Sequence, residues 1–209
     1  MPYQQKEIIS YEEYVKLEIH HVFLPLDLPN RDEIIREEYE NMVKYREDQE
    51  YLEPITVDLR TTFFNQEYAD HIIRFFNPLD LESDEIKVLV LPSFEPEYIV
   101  SLKKNKVILS DLNENLWQHL YQNYDIKLLK LETKTLNIKT STVQEFMEMS
   151  TVLIEESRNP KGGGVVVDGV KYYFIKKEGE EIKISTKHSP DEDSKTGYLI
   201  SQFHTLIDH

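Results

Sequence analysis

The stretch Val165-Val166-Val167-Asp168-Gly169-Val170-Lys171-Tyr172-Tyr173-Phe174-Ile175-Lys176-Lys177-Glu178-Gly179-Glu180-Glu181-Ile182-Lys183-Ile184-Ser185-Thr186 decides the fold. Its side chains follow a period of two, broken by turn residues. Asp168-Gly169 is the strongest short hairpin signal in the chain, and Glu178-Gly179 marks a second turn. The pattern predicts three strands, Val165–Val167, Val170–Lys177 and Glu181–Thr186, in a C-terminal β-meander. Ser194 then caps a last helix with Leu199, Ile200, Phe203, Leu206 and Ile207 on one face.

Upstream of this stretch, strands and helices mix. Ile86 to Leu91 is nearly continuous in aliphatic residues, the pattern of a strand buried on both faces. Tyr98 to Leu102 and Lys106 to Leu109 read as two strands around a Lys-Lys-Asn turn, and Ile126 to Ile138 as one or two more. A further strand is predicted over Ile55 to Phe63. Asn65 caps a helix carrying Ala69, Ile72, Ile73 and Phe76. Asp111 with Glu114, and Thr142 with Glu145, have capping-box spacing for two more helices. The fold class is therefore α+β, with a mixed or antiparallel sheet and packed helices.

The first quarter is helical and acidic. Tyr11 to Phe23 is a short helix candidate. Asn30 or Asp32 caps a longer one that runs to about Tyr51, with Ile35, Tyr39, Met42 and Val43 as its apolar stripe. Residues 1–53 hold 6 basic and 14 acidic side chains, while residues 157–209 hold 8 of each. We therefore divide the chain into an acidic helical segment, 1–53, and an α+β domain, 54–209, or read it as one continuous domain.

Composition removes several classes of function. The 209 residues carry 24 Lys plus Arg against 39 Asp plus Glu, a net charge of −15, and no cysteine. The charge argues against nucleic-acid binding, which depends on Lys and Arg contacts to phosphate. The lack of cysteine removes disulfides, thiol catalysis and cysteine-ligated metals. The longest apolar runs, Val22 to Leu26 and Val88 to Pro92, are about a quarter of the ~20 residues that a membrane helix needs. No signal-peptide pattern opens the chain. The expectation is a soluble, cytoplasmic protein that contacts neither membrane nor nucleic acid.

The motifs that carry chemistry are incomplete. In Asn159-Pro160-Lys161-Gly162-Gly163-Gly164 the lysine precedes the glycines, the reverse of a phosphate loop. Asp80, Glu82, Asp84 and Glu85 start like a calcium loop but lack its glycine and its final glutamate. The seven histidines, among them His20, His21, His71, His119, His188 and His204, include no metal-binding pair spacing. Ser93 ends a strand without the small neighbours that a nucleophile elbow needs. Glu95 and Glu97 flank Pro96 as a conceivable carboxylate pair, and Tyr172 with Tyr173 as a conceivable stacking platform. No catalytic residue, cofactor or metal is assigned.

Three segments carry a resemblance: Leu91-Pro92-Ser93-Phe94-Glu95-Pro96-Glu97-Tyr98, then Val167-Asp168-Gly169-Val170-Lys171-Tyr172-Tyr173-Phe174, then Ser189-Pro190 with Ser194-Lys195-Thr196-Gly197-Tyr198-Leu199. Together they resemble small bacterial proteins proposed as immunity proteins for polymorphic toxins. The resemblance covers roughly residues 85–209 and implies a non-catalytic inhibitor with a toxin as partner. It brings no catalytic residues. An acidic surface attracts a basic partner, so the expected contacts are Glu33, Glu37, Glu40 and Glu47, at helical steps of three and four or multiples of them, with Asp48 and Glu50 nearby. The alternative is a hydrolase whose metal or carboxylate site is assembled from dispersed Asp, Glu and His.

Overall fold

The computed structural model describes residues 7–17, 24, 26–162 and 168–208. Helix α1 spans Tyr11–Val15 and α2 spans Arg31–Gln49. Strand β1, Glu53–Pro54, and a 3-10 turn at Leu59–Thr62 lead to α3, Gln66–Phe76. Strands β2 (Ile86–Pro92), β3 (Tyr98–Lys103) and β4 (Lys106–Leu112) follow. Then come α4 (Leu116–Tyr121), β5 (Leu131–Leu136) and α5 (Thr140–Glu155). The chain closes with β6 (Val170–Glu178), β7 (Glu181–His188) and α6 (Lys195–Ile207).

The seven strands form one sheet in the order β1-β7-β6-β2-β3-β4-β5, with every neighbouring pair antiparallel. The α+β class expected above is what forms. Helices cover both faces of the sheet. On one face Val88, Val90, Tyr172 and Phe174 pack with Phe146 and Leu153 of α5 and Leu199 and Phe203 of α6. On the other, Leu89, Ile99, Tyr173 and Ile175 pack with Tyr68, Ile72 and Phe76 of α3 and Leu116 of α4. Alternation of side chains across a strand explains the aliphatic run in β2, because both of its faces are buried. Tyr172 and Tyr173 obey the same alternation. They enter opposite cores and form no stacking platform.

Strand β6 lies between β2 and β7, which occupy both of its edges. The C-terminal meander is represented by the hairpin β6–β7, closed at Glu178↔Glu181. Gly179 takes φ +61° at the first loop residue, where a two-residue hairpin calls for glycine. The strand predicted at Val165–Val167 lies outside the described residues, and the helix predicted over Tyr11 to Phe23 already ends at Val15 with Lys16 as its cap, while residues 18–23 lie outside the described residues.

The predicted strand at Ile55 to Phe63 does not form. The Asp58 side chain accepts from the Arg60 amide, while the Thr61 and Thr62 hydroxyls donate to the carbonyls of Asp58 and Leu59. Such local bonds compete with a strand ladder and close a 3-10 turn instead. The Asp111 cap is also displaced. Asp111 lies in β4 opposite Tyr98, and Asn115 caps α4 by accepting from the Gln118 amide at 2.7 Å.

Asn65 and Ser194 cap their helices as the pattern predicts. Buried Ser194 accepts from the Gly197 amide at 3.0 Å and donates to the Asp191 carbonyl at 2.6 Å. Ser194→Ala is expected to cost about 1–2 kcal/mol. The urea midpoint should fall while the slope of the transition stays unchanged.

Among the described residues no helix is long and apolar enough to cross a membrane. Strand β1 straddles the 53/54 boundary and pairs with β7 through Glu53↔Thr186 and Pro54↔Ser185.

Candidate binding surfaces

Two regions of the surface have the composition of binding sites. The first is the acidic helix α2. Tyr39 is clasped by Tyr11 and Tyr14 of α1, each with ring centroids 5.3 Å away. The far end of α2 is fastened to the body. The Lys187 ammonium donates to the Asp48 carbonyl at 2.6 Å and the Tyr51 carbonyl at 3.1 Å. Thr196 donates to the Gln49 carbonyl at 2.6 Å. The helix is thus fastened to the body at its C-terminal end and packed against α1 at its middle.

The six acidic residues expected to meet a partner divide on this helix. Glu33, Glu37 and Glu40 are exposed. Glu47 is half-buried and pairs with the Lys161 ammonium at 2.7 Å. Asp48, at 8 % exposure, contradicts the contact role given to it. Its carboxylate accepts the Lys161 amide at 2.9 Å and the Gly162 amide at 2.8 Å. The start of the glycine-rich run therefore cradles the chain's own carboxylate. Glu50 is partly buried and accepts from the Lys195 amide at 3.3 Å.

The second region is an aromatic cleft of about 580 Å³ at the end of the sheet where β2 finishes and β6 begins. Phe63, Phe64 and Tyr68 wall it from one side, Trp117 and Tyr121 of α4 from another, Leu91 and Tyr173 from the sheet, and Phe94 from the bend after β2. Phe64 meets Trp117 edge to face at 4.4 Å, and Phe63 stacks on Tyr173 at 5.5 Å. Phe64, Phe94 and Tyr121 remain 70 %, 72 % and 77 % exposed. Large aromatic rings left in water around one opening mark a surface meant to be covered.

Glu97, fully buried, holds this wall together. Its carboxylate accepts the Leu116 amide at 2.8 Å, the Trp117 amide at 3.3 Å and the Tyr68 hydroxyl at 2.9 Å. Burial pushes its carboxyl above the usual range, and these three donors pull it back. Burial, and then the Glu97 charge, lift the Tyr68 phenol far above the usual tyrosine value. The exposed Glu95 lies apart from this network, so Glu95 and Glu97 form no working carboxylate pair.

Ser93 and Gly169 play a structural part in the cleft. The Ser93 hydroxyl donates to the Gly169 carbonyl and accepts the Gly169 amide, both at 3.0 Å, and meets no histidine. Gly169 has φ +129°, and a Cβ there would lie 1.9 Å from the Ser189 hydroxyl oxygen. Burial, followed by the Lys171 charge, lowers the His188 pKa, leaving the ring neutral near pH 7.

Among the described residues no group of three His, Asp or Glu side chains is placed to hold a metal. His119 is engaged with Glu114, and His204 with the Tyr172 hydroxyl. In the acidic loop Glu85 accepts from the Glu82 amide, and Glu82 pairs with Lys103. The chemistry this geometry supports is holding a ligand or partner. Its cleft-lining residues come from separate segments and follow no common period, so local spacing pointed to none of Phe63, Phe64, Trp117, Tyr121 or Lys171. No protein-family model and no curated protein matches the chain.

Proposed function

We propose that this chain is a non-catalytic binding protein that takes a protein partner, acting as an immunity-type inhibitor of a basic toxin domain. The observation that carries the reading is the exposed row Glu33, Glu37 and Glu40 on a helix fastened to the body at its C-terminal end. None of the three makes a hydrogen bond or ion pair within the described residues, so their charge faces outward. Net charge −15 adds long-range attraction for a basic partner and raises the encounter rate, an effect that salt weakens. The resemblance of residues 85–209 to proposed immunity proteins supports a toxin as that partner.

The test is co-expression with a basic toxin domain encoded beside this chain. The wild type is expected to restore growth and to form a complex with the toxin domain. The triple reversal Glu33→Lys, Glu37→Lys, Glu40→Lys should lower the association rate about tenfold at low salt, with little change in the dissociation rate. Its melting temperature should stay close to that of the wild type, because these exposed side chains make no hydrogen bond or ion pair among the described residues. Absence of both rescue and complex with the wild type rejects the reading.

A further inference from the structure

Lys171 is set apart by its place, as the one lysine that lines the aromatic cleft among the described residues. Lys103, Lys134, Lys161, Lys176 and Lys183 each lie within 4.0 Å of a carboxylate. Lys171 lines the aromatic cleft, is partly buried, and has no carboxylate partner among the described residues. Its ammonium lies 5.0 Å from the centre of the Tyr173 ring and 3.5 Å from the Thr62 carbonyl oxygen, the outer limit of a hydrogen bond. A partly desolvated cation with so few partners, in a protein where acids outnumber bases 39 to 24, is poised for an anion.

The rest of the cleft limits what carries that anion. The volume of about 580 Å³ suits a single small molecule. The wall is a run of rings, Tyr68, Phe64, Trp117 and Tyr121, with Phe64 stacked on Tyr68 at 5.4 Å and Trp117 tilted on Tyr121 at 6.2 Å. A flat aromatic ring extends such a run, offset or edge to face. One ammonium, with neutral His188 beside it, balances one negative charge. Asp168 on the exposed rim disfavours a second. Neither a nucleotide with several phosphates nor a nucleic-acid strand fits a single cation.

We propose that the cleft binds a small monocarboxylate that carries one flat aromatic ring, its ring against Phe64 and Trp117 and its carboxylate on Lys171. This site is separate from the acidic face of α2 and needs no protein partner, so the two proposals fail independently.

Trp117 is the only tryptophan in the chain and lines the cleft, so its emission reports occupancy directly. The full chain is titrated with 3-phenylpropanoate, its amide, the corresponding amine 3-phenylpropylamine, and the tripeptide Gly-Gly-Phe. The carboxylate should change the emission saturably, and the amide should bind about tenfold more weakly. Lys171→Met keeps the aliphatic stem. It should reduce carboxylate affinity to the level of the amide and leave amide binding unchanged, which also shows that the variant folds. Phe64→Ala should weaken both ligands. Four results overturn the proposal: no saturable change with the carboxylate, equal affinity for acid and amide, tighter binding of the amine, or much tighter binding of the tripeptide than of the free acid.

Discussion

Replacing Glu97 with alanine is expected to destabilise the protein by about 3–5 kcal/mol and to lower its melting temperature by roughly 10 °C. The carboxylate is the common acceptor for two backbone amides at the start of α4 and for the hydroxyl of buried Tyr68. Removing it leaves three buried donors without a partner and opens a void beneath the aromatic wall. A group that satisfies several donors costs more to delete than a single hydrogen bond, because each orphan loses its full solvation. Glu97→Gln keeps the shape and turns one oxygen into a donor. It can still serve most of the three groups and should cost about 1–2 kcal/mol. Differential scanning calorimetry of both variants checks the order. A Glu97→Ala protein as stable as wild type would show that the three donors find other partners.

The same substitution links stability to the cleft. Trp117 and Tyr68 reach the opening from two helices far apart in sequence, and Glu97 touches both residues. A carboxylate that fixes two walls relative to each other preorganises the space between them. Emission of the sole tryptophan should therefore shift to longer wavelength in Glu97→Ala as Trp117 gains access to water. Ser194→Ala, at the start of α6 on the other face of the sheet from Trp117, should leave that emission unchanged.

The parts of this architecture that could be read from the chain are those that depend on local order. The aliphatic run of β2 announces a strand covered on both faces. Asn65 and Ser194 announce helix starts, since a cap acts within three residues of itself. What depends on distant partners could not be read the same way. Asp48 shares a helix with Glu33, Glu37 and Glu40, and spacing alone groups them as one acidic surface. It becomes a buried acceptor only because residues 161 and 162, more than a hundred positions later, return to cover it. The cleft is harder still, as its rings come from the segments that follow the 3-10 turn and β2, from two helices and from β6. Thr61 and Thr62 misled in the other direction. Their β-branched side chains suggest a strand, while their hydroxyls are spent on bonds to the preceding turn.

Lys187 brings burial, helix capping and pH together in one side chain. It is 1 % exposed, and its ammonium donates to the Asp48 and Tyr51 carbonyls at the end of α2 and lies 3.6 Å from Glu53 of β1. Lys187→Met removes the charge and its two bonds, leaving the Tyr51 carbonyl without this donor and the Asp48 carbonyl with only backbone amide bonds such as that from Tyr51 at 3.3 Å. A loss of about 3–5 kcal/mol is expected, as for one partner deleted from a buried charged network. The sign of the pH dependence follows from the direction of the shift. Burial, the largest cause, lowers this lysine below its ordinary 10.5, with Glu53 and Asp48 opposing. Between the lowered folded value and 10.5 the unfolded chain holds more protons than the folded one. In that window the contribution of Lys187 to stability rises with pH. Methionine has no such term, whereas tyrosines and other lysines titrate alike in both proteins. The stability gap between wild type and Lys187→Met should therefore widen as pH rises toward 10.5, read from paired urea titrations. A gap that narrows over this range would mean that the ammonium is stabilised in the fold, and that its bonds to the α2 carbonyls outweigh the cost of burying it.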